Sequence, residues 1–153
     1  MPTNSIFNNP TLVVALISWV LGQTIKLVID YIYTHRWDGS LLFRAGGMPS
    51  SHSSSVVALT TAVAFTQGLN SGAFAISAVL AVIVMYDAAG IRKAAGEHAG
   101  VINQLTEFII AAFDKRFKNE KLKELLGHSY SEVIVGAVLG FLIAFLMKRY
   151  LLT

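Results

Sequence analysis

Residues 11–33 read TLVVALISWVLGQTIKLVIDYIY. A helix of about 20 residues crosses the hydrocarbon core of a bilayer, so this run is long enough to span. Only Lys26 and Asp30, one helical turn apart in its last third, interrupt it. The chain around it has the same character. Of its 153 residues 54% are hydrophobic and 14% charged, where a soluble domain carries about 25% charged residues. Residues 1–153 are therefore read as one integral membrane domain. No Lys or Arg precedes the first apolar run, which argues against a cleaved signal peptide. The absence of cysteine excludes disulfides, thiolate metal ligation and a thiol nucleophile. The net charge of +3 is modest and carries no nucleic-acid signature.

Three further apolar segments follow, at about 53–69, 73–91 and 131–147. The turn-like GLNSG joins the first two and makes them an antiparallel pair. The last carries Gly136 and Gly140, a four-residue spacing that permits close helix packing. Between the third and fourth, Val101, Ile102, Leu105, Phe108, Ile109, Ala112 and Phe113 recur at helical spacing. This predicts an amphipathic helix over 101–113 in the membrane interface, continued by the charged DKRFKNEKLKE. The expected architecture is all-α: a polytopic helix bundle of about four spans plus that interfacial helix.

The basic residues fix an orientation. One side holds Arg36, Arg44, Arg92, Lys93, Lys115, Arg116, Lys118, Lys121 and Lys123; the other holds only Lys148 and Arg149. The positive-inside rule makes the rich side cytoplasmic. The stretch GGMPSSHSSS (46–55) opens the second span on that side, Asp87 and Arg92 close the third, and GHSYSE (127–132) opens the fourth. Lys26 and Asp30 approach the same end of the first. Four segments thus bring ionisable and hydroxyl groups to one membrane level, where such groups signal function. Were residues 101–113 a span, GHSYSE would sit on the face opposite PSSH.

A helix N-terminus preceded by glycine and serine presents free N–H groups and hydroxyls to an anion. Pro49 is expected to begin that helix, while Lys26 and Arg92 add positive charge for phosphate oxygens. His52 and His128 supply two imidazoles, one able to attack and one able to protonate a leaving group. Glu132, one turn after His128, can hold its ring. This set suits phosphoryl transfer without a metal or other cofactor.

At these residues the chain resembles the divergent branch of the type 2 phosphatidic acid phosphatase family, relatives of acid phosphatases and vanadium-dependent haloperoxidases. The resemblance runs from Lys26 to about Gly140 and is strongest at GGMPSSHS, YDAAGIRKAAG and LGHSYSEVIVGAVLG. PSSH matches the family's proline-serine-glycine-histidine with Ser51 in place of glycine; HSYSE matches its later histidine with glutamate in place of aspartate. The wider family's arginine seven positions after the lysine is replaced by Tyr33, and its serine-arginine pair by Lys121 and Leu122. Arg92 stands in the divergent branch's glycine-hydrophobic-arginine pattern instead.

The resemblance implies His128 as the nucleophile that forms a phosphohistidine, Glu132 as its orienting partner and His52 as the acid. It implies Ser50 and the Ser51 backbone as phosphate ligands. Lys26 and Arg92 join them, Lys26 having Asp30 as a rival partner, and Asp87 is a supporting carboxylate. The expected function is a membrane lipid phosphatase in a bacterial plasma membrane, acting on phosphatidylglycerol phosphate or phosphatidic acid at the cytoplasmic face. The alternatives are a polyprenyl diphosphate phosphatase, a non-catalytic lipid-phosphate-binding protein and, least favoured, a vanadate-using haloperoxidase. Expected partners are the phospholipid or isoprenoid-phosphate substrate, the membrane and a second copy of the chain, with no nucleic acid.

Overall fold

The computed structural model describes residues 6–42, 46–112, 121–122 and 127–152, with the backbone alone at Ile6 and Arg92. Every regular element among them is helical. After a 3-10 turn (Ile6–Asn8), α1 runs Pro10–Thr34, α2 Ser51–Gln67, α3 Gly72–Ala89, α4 Ile91–Ala112, α5 Tyr130–Leu146 and α6 Lys148–Leu151; a second 3-10 turn, Gly39–Leu42, precedes α2. The four spans expected from the sequence are α1, α2, α3 and α5, displaced by at most a few residues at their ends. Two stretches, Pro10–Thr34 and Gly72–Ala112, are long and apolar enough to cross a membrane, and Tyr130–Leu146 is apolar but shorter. With the apolar side chains left uncovered on α1, α3 and α5, they make the chain a helical membrane bundle.

Local chemistry sets the helix starts. Asn9 caps α1, accepting a hydrogen bond from the Leu12 N–H at 3.2 Å, and Pro10 occupies the first helical position. Ser71 caps α3 through the Phe74 N–H at 3.1 Å. Ser129 and Glu132 form a capping box at the start of α5.

Helix α2 is the hub, packed against α1, α3 and α5. No residue from Ser51 to Thr66 is exposed. This explains its sequence: a helix enclosed by protein needs neither an apolar stripe nor bulk, and SHSSSVVALTTAVAF is rich in small and hydroxyl residues because other helices approach on every side. Ser53 and Ser54 are fully buried. Ser18 of α1 meets Ser54 with an Oγ–Oγ separation of 2.6 Å and also donates to the Ser54 carbonyl at 3.0 Å. On the α3 side the Thr60 hydroxyl reaches the Ser77 carbonyl at 3.0 Å. One apolar core cluster, Val14, Ala58, Ala62, Ala144 and Leu151, lies away from the α2 N-terminus, and a second, Ala88, Ala89 and Val133, joins the end of α3 to the start of α5.

Replacing Ser18 by alanine is expected to cost only about 0.5–1.5 kcal/mol, since interhelical hydroxyl bonds inside membrane bundles are individually weak. Unfolding in detergent with the Ser18→Ala, Ser54→Ala double-mutant cycle measures it, and a coupling near zero would show that these hydroxyls only fill space.

The amphipathic segment begins earlier than the sequence suggests. Gly90 (ψ −77°) interrupts the helix briefly, with its N–H still bonded to the Tyr86 carbonyl at 2.9 Å, and α4 starts at once at Ile91. Val101, Ile102, Leu105, Phe108 and Ile109 are exposed along one face, while Gly96, Ala99 and Asn103 are buried along the other. Asn103 holds the backbone of Leu122 from both sides: its amide N–H donates to the Leu122 carbonyl and its oxygen accepts from the Leu122 N–H, each at 2.9 Å. Phe113 and most of DKRFKNEKLKE lie outside the described residues, as does Arg44.

Candidate active site

Helix α1 ends, α2 begins, α3 ends and α5 begins at one end of the bundle, and backbone contacts tie these ends together. The Ser50 N–H donates to the Glu132 carbonyl at 3.1 Å, and the His128 N–H to the Ala88 carbonyl at 2.8 Å. PSSH and GHSYSE therefore face each other at the same end, as the topology without a span at 101–113 requires. Gly46 and Gly47 make the junction possible. Both have positive φ, +97° and +86°, a region that favours glycine. A Cβ on Gly46 would stand 3.1 Å from the Gly127 carbonyl, and one on Gly47 3.3 Å from the Lys26 side chain. The glycine turn thus lies against both Lys26 and the loop that carries His128.

His128 is 2% exposed. Its Nδ1 lies 2.9 Å from Glu132 Oε2, the oxygen that also accepts the Ser129 N–H at 3.3 Å. One carboxylate thus completes the capping box and anchors the ring. Because the carboxylate accepts, Nδ1 carries the proton and Nε2 holds the lone pair. Nε2 is buried without a hydrogen-bond partner among the described residues. The Gly47 carbonyl lies near enough to favour the protonated ring, though it is not aligned as an acceptor for Nε2. Burial nevertheless holds the imidazole below the usual histidine pKa, the Lys26 charge acts in the same direction, and Glu132 opposes both. The His52 ring centroid is 6.0 Å away, inclined by 68°.

Around the two rings, Lys26 is buried at 4% exposure and makes no ion pair with a described residue. Asp30, its rival partner from the sequence, lies near the Thr34 hydroxyl instead. A buried lysine beside Gly47 supplies a fixed positive charge at the mouth of the α2 N-terminus. Ser50 has a structural role that the sequence did not suggest. It caps α2 in place of Pro49, accepting the Ser53 N–H at 3.4 Å and the Ser53 hydroxyl at 3.1 Å, which leaves its own hydroxyl proton to donate. The Ser51 hydroxyl, 1% exposed, has no partner among the described residues and is open to a ligand. Gly22 gives Ser51 its room, since a Cβ there would come within 3.2 Å of the Ser51 Cα. Asp87 is half-buried in the last turn of α3, next to the Ala88 carbonyl that anchors His128. The Arg92 side chain lies outside the described residues.

Sequence reasoning missed Gln23. It is 7% exposed, its Nε2 donates to the Leu42 carbonyl at 2.9 Å, and its Oε1 is buried without a partner. The available signal was an amide three residues before Lys26, hence on the same helix face, inside an apolar run. It also missed the capping signature Ser129-x-x-Glu132, which makes Glu132 structural as well as electrostatic.

No solved structure matches the chain. It is 42% identical over 154 residues to the Bacillus subtilis (strain 168) uncharacterized membrane protein YuiD, covering 95% of this chain and 98% of that protein. The divergent PAP2 family matches residues 7–143, a span that contains Lys26, PSSH, Arg92 and HSYSE together. That span holds every side chain that meets at the glycine turn, and the chain belongs to the divergent PAP2 family.

Proposed function

We propose that the chain is a membrane lipid phosphatase that removes a terminal phosphate through a phosphohistidine intermediate. The observation that carries this reading is the state of His128: buried, fixed at Nδ1 by Glu132, and presenting beside His52, and within reach of the Lys26 charge, an Nε2 with no partner among the described residues. A neutral, oriented imidazole at the foot of a helix N-terminus is a nucleophile next to an anion site.

In the first step the Nε2 lone pair of His128 attacks phosphorus and the bond from phosphorus to the ester oxygen breaks, while protonated His52 gives its proton to the departing alcohol. In the second, His52 takes a proton from water, the hydroxide attacks phosphorus, the N–P bond breaks and phosphate leaves. Lys26, the Ser51 hydroxyl and the first amides of α2 stabilise the equatorial oxygens, with Arg92 and Ser50 as further ligands carried over from the family. Asp87 acts behind them as a supporting carboxylate.

The lipid tail lies along the helices and the site opens at the cytoplasmic face, with α4 along the interface and its apolar side in the lipid. Substrates made on that face, phosphatidylglycerol phosphate or phosphatidic acid, follow. Purified protein in mixed micelles of each lipid is expected to release inorganic phosphate, to continue in chelator and to stop with vanadate, which mimics the five-coordinate phosphorus. Phosphate release that ceases in chelator, or that vanadate leaves untouched, overturns the phosphohistidine reading.

A further inference from the structure

The proposed hydrolysis leaves one buried polar atom near Lys26 unexplained. Gln23 Oε1 is buried, and the orientation of its amide is set by the Nε2–H bond to the Leu42 carbonyl, so the atom with no partner among the described residues is the carbonyl oxygen. A carbonyl oxygen only accepts hydrogen bonds. It cannot be a phosphate ligand, because a phosphate dianion offers oxygens of the same polarity; it calls for a hydroxyl or N–H.

Its place in the helix says where that donor would be. Gln23 and Lys26 are three residues apart, so their Cβ atoms are neighbours about 5–6 Å apart on one face. Gln23 is about 4.5 Å further along the axis, on the side of the apolar core around Val14. The residue before it, Gly22, packs on Ser51, whose free hydroxyl belongs to the phosphate site. If phosphorus sits between Lys26, Ser51 and His128, an ester alcohol that leads along α1 toward the membrane interior passes Gln23, whose amide the Gly39–Leu42 turn holds in place.

We propose that Gln23 is a specificity-determining residue that accepts a hydrogen bond from a free hydroxyl of the departing alcohol, on the carbon next to the phosphorylated one. This rests on the phosphatase reading above and divides its two favoured substrates. A glycerol headgroup phosphorylated at its end carries such a hydroxyl. Phosphatidic acid carries an acyl ester there, which has no proton to give.

The test compares two lipids in identical micelles, phosphatidylglycerol phosphate and its analogue in which the headgroup is 1,3-propanediol phosphate, lacking only the hydroxyl. For the wild-type protein kcat/KM is expected to favour the hydroxyl lipid by about 10-fold or more, since the analogue leaves a buried acceptor unsatisfied. In Gln23→Met, which keeps the volume and removes the acceptor, the ratio is expected to fall to about one. A destabilised variant lowers both rates together and leaves the ratio readable. Equal turnover of the two lipids by wild-type protein overturns the inference alone, and is the result if Lys26 or water fills the acceptor. An unchanged ratio in Gln23→Met also overturns it. Release from neither lipid overturns the phosphatase reading and the inference with it.

Discussion

His128→Ala protein is expected to assemble in the membrane and to release phosphate from lipid substrate at least about 10³-fold more slowly than wild type. The fold should tolerate the change because what anchors this residue is its backbone: the N–H to the Ala88 carbonyl persists, and the Ser129–Glu132 capping box does not involve the ring. Retained phosphate release in this variant would falsify the nucleophile assignment. Glu132→Gln separates orientation from attack. An amide in place of the carboxylate can donate to Nδ1 as well as accept from it and carries no charge, so the tautomer is no longer fixed and kcat should fall by about 10²–10⁴-fold. The pH profile must also move, and its direction follows from the charges. Glu132 favours the protonated ring, against burial and Lys26. Wild-type kcat/KM should therefore lose activity on the acid side below the usual histidine value of about 6.5, and in Glu132→Gln that limb should shift to lower pH still. Stability has the same sign. A ring whose folded pKa is depressed binds fewer protons than the unfolded chain, so its contribution is complete above the usual value and is lost as pH falls through the window beneath it. A limb that moves upward in Glu132→Gln would mean that the carboxylate does not control this imidazole.

The spans were legible because membrane length and apolar composition leave few alternatives, and the two histidines because each sits in a motif at a helix start. The close approach of Lys26, His52, His128 and Glu132 could be anticipated from which end of each helix the polar groups occupy. Enclosure left no trace in the periodicity. Ser53 and Ser54 look like loop polarity carried into a span, yet they are buried because α1 and α5 crowd α2. Ser50 and Ser51 are adjacent, identical residues, and only the backbone decides that one caps the helix while the other keeps its hydroxyl free. Gln23 was passed over for the opposite reason: a lone amide in a long apolar run reads as tolerated polarity until its oxygen is found buried with no donor among the described residues. The start of α4 was misplaced because ten residues of mixed charge and small side chains, 91–100, carry helix but little apolar pattern.

Enlarging the glycines of α5 is expected to be the most damaging change outside the site. A Cβ on Gly140 would overlap the Ser54 carbonyl oxygen and lie 2.9 Å from its carbon and 3.0 Å from the Ala58 nitrogen; at Gly136 it would overlap the Ser50 carbonyl oxygen. These obstacles are main-chain atoms of a helix locked between three others, so no side chain can rotate away and the whole of α5 must retreat. Gly140→Ala should cost about 1–3 kcal/mol, and Gly140→Leu should prevent accumulation of folded protein. Gly136→Ala should also damage activity beyond its stability cost. Retreat of α5 at this level stretches the Ser50 N–H bond to the Glu132 carbonyl, the link between the PSSH turn and the residue that holds His128. Detergent unfolding of the two alanine variants, with phosphate release measured per folded molecule, distinguishes the effects: comparable stability losses with a larger activity loss for Gly136→Ala are expected. If both melt like wild type, α5 does not ride on the α2 backbone. The two glycines would then be ordinary membrane-helix residues, and the route by which α2 positions the second histidine would have to be sought elsewhere.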